Sequence, residues 1–252
     1  MVNAEEIKKN RKKKEYEIRD EAKKNREKFM LEKAREIAKN GGFQSLSLPE
    51  LAKVSGYSRP TIYKYFLNKE DLLTALVVES TAERIAYYER AITFKARARE
   101  KMMAIHSLNF GILNEAFHDW LSILTNKDQK KSKPERQKSF NRNNERILEI
   151  HADIVRQAVR DGDLILNEGV DEYKLVFTLT AATIGGCVMI ESDSPVIKKW
   201  FKKINFMHGT FWQLILDGMD WRPLSNEWDY LKTLERFYSE VFPELSMKSI
   251  CP

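Results

Sequence analysis

Apolar residues recur along this chain three and four positions apart, interrupted by glycine, proline and capping residues. That period predicts helices throughout and an all-α fold. The pattern is clearest in SLSLPELAKVSGYSRPTIYKYFLNKEDL, from Ser45 to Leu72. Leu48, Leu51 and Ala52 form one buried stripe on a short helix ending near Val54. Ser47 precedes this helix with Glu50 three residues on, the spacing of a capping box in which the two satisfy orphan amides reciprocally. Gly56 suits a left-handed C-cap or turn. Ser58 caps the next helix, and Pro60 in its first turn removes no hydrogen bond. Ile62 and Phe66 face inward on that helix. Thr61, Lys64 and Tyr65 lie mostly outward, with Tyr63 toward a flank. Asn68 caps a further helix, with Asp71 three positions later.

The same reading places a first helix from about Lys23 to Asn40, with Phe29, Ala34, Ile37 and Ala38 toward a core. A helix from Lys69 to about Ala91 follows the short pair. Thr93 to Trp120 stays helical, with a break at Gly111. Residues from Asn126 to Ser139 are polar and Lys-rich around Pro134, and predict a surface loop or a frayed lead-in. Later helices are expected at Phe140–Arg160, Asn167–Ile190 and Val196–Leu216, with a final amphipathic one near Asn226–Val241.

Charge changes this picture. Residues 1–76 hold 18 Lys/Arg against 12 Asp/Glu, whereas residues 77–252 hold 25 of each. The whole positive excess therefore sits on the N-terminal part, and a polyanionic partner is the plain physical reading. Residues 1–28 carry 11 Lys/Arg and 7 Asp/Glu, including KKNRKKK at positions 8–14. They form either a disordered basic arm or a helical extension of the first helix.

Composition excludes some classes. No apolar run approaches the roughly 18 residues of a membrane span, and the charged N-terminus has no apolar signal core. Cys187 and Cys251 show no metal-ligand spacing and read as reduced thiols of a cytoplasmic protein. The sequence contains no HExxH, GxSxG or P-loop, so no catalytic residues, cofactor or metal are expected. Among the histidines, His106, His118, His151 and His208, a shared His106–His118 site lacks a convincing third ligand.

Two short helices around Gly56, the second carrying Arg59, Thr61, Tyr63, Lys64 and Tyr65, have the form of a helix-turn-helix that lays side chains in a DNA groove. From Phe29 to about Leu76 the segment resembles the TetR family of bacterial transcriptional regulators. The resemblance rests on Ala34 to Phe43, Leu51-Ala52, Gly56-Tyr57-Ser58, Thr61-Ile62-Tyr63-Lys64-Tyr65-Phe66 and Lys69-Glu70-Asp71-Leu72. Leu48, where the family often has Thr, and Pro60 depart from the pattern.

The resemblance implies a three-helix DNA-binding head with the helix-turn-helix and a helical ligand-binding and dimerisation body. The expected divisions are 1–22 (basic extension), 23–76 (head), 77–220 (body) and 221–252 (a C-terminal helical extension beyond the usual pattern). It implies a homodimeric repressor released from a double-stranded operator by a small-molecule effector, apolar or aromatic. The alternative is a sequence-tolerant structural nucleic-acid-binding protein without ligand regulation. Arg59, Thr61 and Lys64 are candidates for base edges. Ser47, Tyr63, Tyr65 and Lys69 are candidates for phosphates, and the amides opening the Lys69 helix suit one too. Candidate effector-lining residues are His106, Phe110, Phe117, Trp120, His151 and Met189. Candidate dimer residues are Val176, Leu179, Thr183, Trp200, Ile204 and Phe211.

Overall fold

The structure is a computed structural model that describes residues 4–110, 130–191, 194–200 and 209–245. Gly111, Phe117, His118, Trp120, Ile204, His208 and Cys251 lie outside the described residues, as do the side chains of Phe110, Cys187 and Trp200. Every described element is a helix: α1 Ala4–Ser45, α2 Leu48–Ser55, α3 Arg59–Tyr65, α4 Lys69–Ala91, α5 Ala98–Phe110, α6 Pro134–Asp161, α7 Glu172–Glu191, α8 Pro195–Trp200, α9 Phe211–Gly218 and α10 Tyr230–Val241. The chain divides into two compact units, Met1–Val77 with Ser122–Lys138, and Val78–Leu121 with Ser139–Pro252.

The first unit is built around α1, α2, α3 and the start of α4. Its core holds Met30, Leu31, Ala34, Ile37, Leu46, Leu48, Leu51, Ala52, Ile62, Phe66 and Leu72. Helix α1 runs far upstream of Lys23, so the basic extension is helical from Ala4 onward. Gly42 closes this helix's regular run at φ 70°, a left-handed conformation that glycine adopts at little cost. Ser47 accepts a hydrogen bond from Glu50 N at 3.3 Å. Among the described residues the Glu50 carboxylate turns to Lys53, at 3.6 Å, so only half of the expected capping box forms. Gly56 is left-handed at φ 73° and ends α2. Ser58 caps α3 by accepting from Thr61 N at 3.4 Å, and Asn68 caps α4 by accepting from Asp71 N at 2.8 Å.

Helix α4 has the expected bounds, but several others moved. Residues 92–97 form turns before α5 begins at Ala98. Pro134 opens α6, so the helix expected from Phe140 begins six residues earlier, inside the stretch that read as a surface loop or a frayed lead-in. A proline at the first helical position loses no intrahelical bond, and its fixed φ already matches the helix. Helix α7 starts at Glu172, after a left-handed Gly169 at φ 77°.

The second unit has one large apolar core. Tyr88, Phe94, Met102, Ile105, Leu108, Ile150, Val155, Leu179, Trp212, Trp221, Phe237 and Phe242 all belong to it. Helix α10 presents Tyr230, Leu234, Phe237, Tyr238 and Val241 to this core at helical spacing. Asp229 caps it by accepting from Leu231 N and Lys232 N, each at 3.1 Å. Tyr238 Oη meets Ser107 Oγ at 2.9 Å, and Thr233 Oγ1 donates to Glu100 at 2.8 Å. The C-terminal segment is thus part of the body core. Phe237 and Phe242 are fully buried, each worth about 1.5–3 kcal/mol of apolar burial.

Candidate nucleic-acid interface

The short length of α3 decides which side chains it can offer. Ile62 and Phe66 are fully buried and fix the helix against the head. Arg59, Tyr63 and Lys64 are exposed, and Thr61 is half-buried. Tyr63 is 51% exposed although it is a large aromatic. The Thr61 hydroxyl lies 2.8 Å from Ser58 Oγ, which orients it at the start of the helix. Pro60, beside Arg59, keeps the first turn free of a donor that would need a partner. The result is a rigid helix carrying one guanidinium, one ammonium and one phenol toward solvent, a donor set that matches base edges and phosphates.

Tyr65 departs from the expectation. It is only 6% exposed and packs at 6.4 Å from the Phe66 ring. Tyr65 lies three residues after Ile62, on the buried side of a helical period. Ser47 is half-buried by its capping role. Lys69 is half-buried, and its ammonium donates to the Gln44 carbonyl at 3.1 Å.

The end of α3 is held by residues that the motif did not flag. Lys133 Nζ and Arg136 Nη2 both donate to the Tyr65 carbonyl, at 2.6 and 3.0 Å. Two cations here complement the partial negative charge at a helix C-terminus. Arg136 also bonds Glu27 at 2.5 Å and lies 4.9 Å from the Phe66 ring centroid. Asp71 is fully buried and accepts from Leu67 N at 2.9 Å and Lys133 N at 3.0 Å. Burial pushes its carboxyl up, but these two amides and the Arg136 guanidinium outweigh burial and hold it below the usual carboxylate range. The lone hint in the sequence was the Lys-rich stretch around Pro134, which read as a surface loop or a frayed lead-in to the next helix.

In the second unit, His106 and His151 come together inside the core, with ring centroids 5.4 Å apart. They are 4% and 7% exposed. Among the described residues neither nitrogen of His106 has a hydrogen-bond partner, and its ring stacks on Trp212 at 3.7 Å. His151 Nδ1 lies 2.8 Å from the Ile147 carbonyl, which fits a neutral ring donating there. Burial drives both imidazoles toward the neutral form, His106 well below the ordinary value and His151 down to about 4. Arg84, Tyr88 and Asn109 complete the polar group. Arg84 Nη2 is 3.4 Å from Tyr88 Oη, which donates to Asn109 at 2.5 Å. Sequence periodicity placed these three only on helices, and nothing in it marked them as buried polar groups.

Met189 does not join this interior. It is 54% exposed, because α7 turns its other face to the core. Val176, Leu179 and Thr183 are buried within the chain's own core, at 2–3% exposure. Phe211 packs partly against that core. The side of α7 that reaches solvent instead carries Tyr173, Phe177, Ala181 and Val188. Small residues at both sides of this helix left its period ambiguous. Among the described residues no group of His, Cys, Asp and Glu could hold a metal ion, and no helix is long and apolar enough to cross a membrane.

Residues 30–76 match the family model for bacterial regulatory proteins of the tetR family. Over 180 residues the chain is 31% identical to the fatty acid metabolism regulator protein of Bacillus subtilis (strain 168), covering 69% of this chain and 91% of that protein. It is 33% identical over 81 residues to the HTH-type transcriptional regulator UidR of Escherichia coli (strain K12), covering 32% of this chain and 36% of that one. Among solved structures, the transcriptional regulator FadR from Bacillus subtilis in complex with stearoyl-CoA matches with a TM-score of 0.54 at 25% identity, over 75% of this chain and 97% of that chain.

Proposed function

This chain belongs to the TetR family of bacterial regulatory proteins, and from that membership we propose that it is a cytoplasmic, homodimeric repressor released from its operator by a small-molecule inducer. The observation that carries the reading is α3: a helix fixed by buried Ile62 and Phe66 that exposes Arg59, Tyr63 and Lys64. Arg59, Thr61 and Lys64 read base edges, and Tyr63, with Ser47 and Lys69, positions phosphates. Two heads related by a two-fold axis read two half-sites. The exposed stripe Tyr173, Phe177, Ala181 and Val188 on α7 supports pairing with a second copy. Its small Ala181 and neighbouring Gly185 permit close helix approach.

The effector we propose is a long-chain acyl thioester of coenzyme A. The similarity to a fatty acid metabolism regulator, and to a structure containing stearoyl-CoA, supports that class. An acyl chain requires an apolar lining, and a thioester or phosphate end requires polar groups. The body core supplies apolar side chains around the buried set His106, His151, Arg84 and Tyr88. Binding favours a head arrangement that no longer fits both half-sites, a shift between two populations.

The test begins with a duplex selected from a random pool by the purified protein. Stearoyl-CoA, free coenzyme A and free stearate are then added while fluorescence anisotropy follows release. Release by the thioester alone is expected. Retention of DNA with all three rejects the effector class, and failure to select any duplex rejects the regulator reading at its DNA-binding step.

A further inference from the structure

Helix α1 runs from Ala4 to Ser45, but the apolar core of the first unit takes up only its C-terminal part, beginning at Met30. The upstream stretch is a helix without an apolar face. Its side chains from Lys13 to Arg26 are almost all exposed. Such a segment gains little from burial, so its composition answers to something else.

That composition is ordered. At about 100° per residue, Lys8, Lys12, Arg19, Lys23 and Arg26 fall within one arc of about 60°. Every residue from 8 to 26 on that arc is basic. Between residues 8 and 26 the acids lie outside it, with Glu15 nearest its border, and Asp20 is taken by Lys24 at 2.7 Å. The next positions on the same arc are Met30 and Ile37, which face the core of the first unit at 0% and 9% exposure. The basic stripe therefore continues the line of the helix that meets the rest of the head. The extension leaves the head beside the helix-turn-helix: the Phe29 ring meets Tyr57, in the turn before α3, edge-on at 6.1 Å.

We propose that this stripe is a second DNA-contact surface, in which the helical extension lies along the phosphate backbone next to the half-site read by α3. The proposal rests on the DNA-binding reading given above. From Lys8 to Arg26 the helix spans about 27 Å, long enough to pass several successive phosphates of one strand. Basic positions in line along one side of a helix complement a row of phosphate anions. They carry no base information, so the surface adds affinity and register without sequence preference.

The test uses the full chain and a fluorescein-labelled random-sequence duplex of about 40 base pairs, titrated with salt. One variant carries Lys8→Gln, Lys12→Gln, Arg19→Gln, Lys23→Gln and Arg26→Gln. A control of equal net charge carries Lys9→Gln, Lys13→Gln, Lys14→Gln, Lys24→Gln and Lys28→Gln. Glutamine keeps helix propensity close to that of the residues replaced, and far-UV circular dichroism checks that both variants retain the unmodified chain's helix content. Each lost phosphate contact lowers the slope of log affinity against log salt by about 0.9. The stripe variant is expected to lose about 3–5 from that slope and the control less than about 1. Equal shifts in the two variants, or no shift in either, overturn the proposal while leaving DNA binding by α3 intact. An unmodified chain that binds neither this duplex nor any selected from a random pool overturns both.

Discussion

Arg136 Nη1 stands 2.5 Å from the buried carboxylate of Asp71, and the same guanidinium reaches the Tyr65 carbonyl that ends α3. The first turn of α6 and the first turn of α4 are thereby tied to the end of the recognition helix. The pair is nearly water-free, with the Arg136 side chain 12% exposed and that of Asp71 fully buried. Losing one member of such a pair is costly because the other charge stays buried without it.

Arg136→Gln should therefore destabilise the first unit by about 3 kcal/mol. The double variant Asp71→Asn with Arg136→Gln should recover part of that loss. Chemical denaturation of the four proteins gives the coupling energy directly. A coupling near zero would mean that packing, not charge, holds this contact.

Stability should fall as pH drops from 7 to 5. In the unfolded chain each histidine protonates near its ordinary value of about 6.5. In the folded chain His151 stays neutral until about pH 4, and burial holds His106 well below its ordinary value too. The unfolded state thus binds more protons across this window, so stability rises with pH through it and levels off above about 6.5. His151 alone should account for about 2 kcal/mol between pH 5 and pH 7. His151→Asn should flatten the profile, as read by urea unfolding at several pH values. An unchanged slope in that variant would exclude His151 as its source.

On the DNA side, Arg59→Ala should relax discrimination at one base pair, by about 1–3 kcal/mol. Tyr63→Ala should weaken selected and scrambled duplexes alike. Competition binding against a panel of single-base variants separates the two effects. Uniform weakening by Arg59→Ala would move that residue from base reading to backbone contact.

Phe177 is 73% exposed on the outer side of α7. Phe177→Glu should leave the fold intact, because the side chain lies outside the chain's own core, and should shift the protein toward monomer. Sedimentation velocity reads the outcome. A dimer that survives this change, and Val188→Glu about three turns further along the same helix, would place the two-fold interface on another surface.

Local signals in the sequence were enough for the helix-turn-helix. Gly56, Ser58, Asn68 and the Ile62/Phe66 pair act within a few residues of themselves, so spacing alone announces them. The bounds of α4 were legible for the same reason. Tyr65 was misjudged because a seven-residue helix gives too short a window to fix its buried arc. On α7, apolar and small residues occur all round the helix, so the periodicity could not choose which face turns inward.

What the sequence determined by itself was the all-helical class, the head motif and the concentration of positive charge on the first 76 residues. These follow from short-range spacing and from composition, which do not depend on how distant segments meet. The tertiary structure decided the rest. It set Lys133 and Arg136 against the end of α3, brought His106 of α5 to His151 of α6, and packed Tyr230, Phe237 and Phe242 into the body core. Each of these depends on contacts between segments far apart in the chain, whose geometry is fixed by packing rather than by helical period.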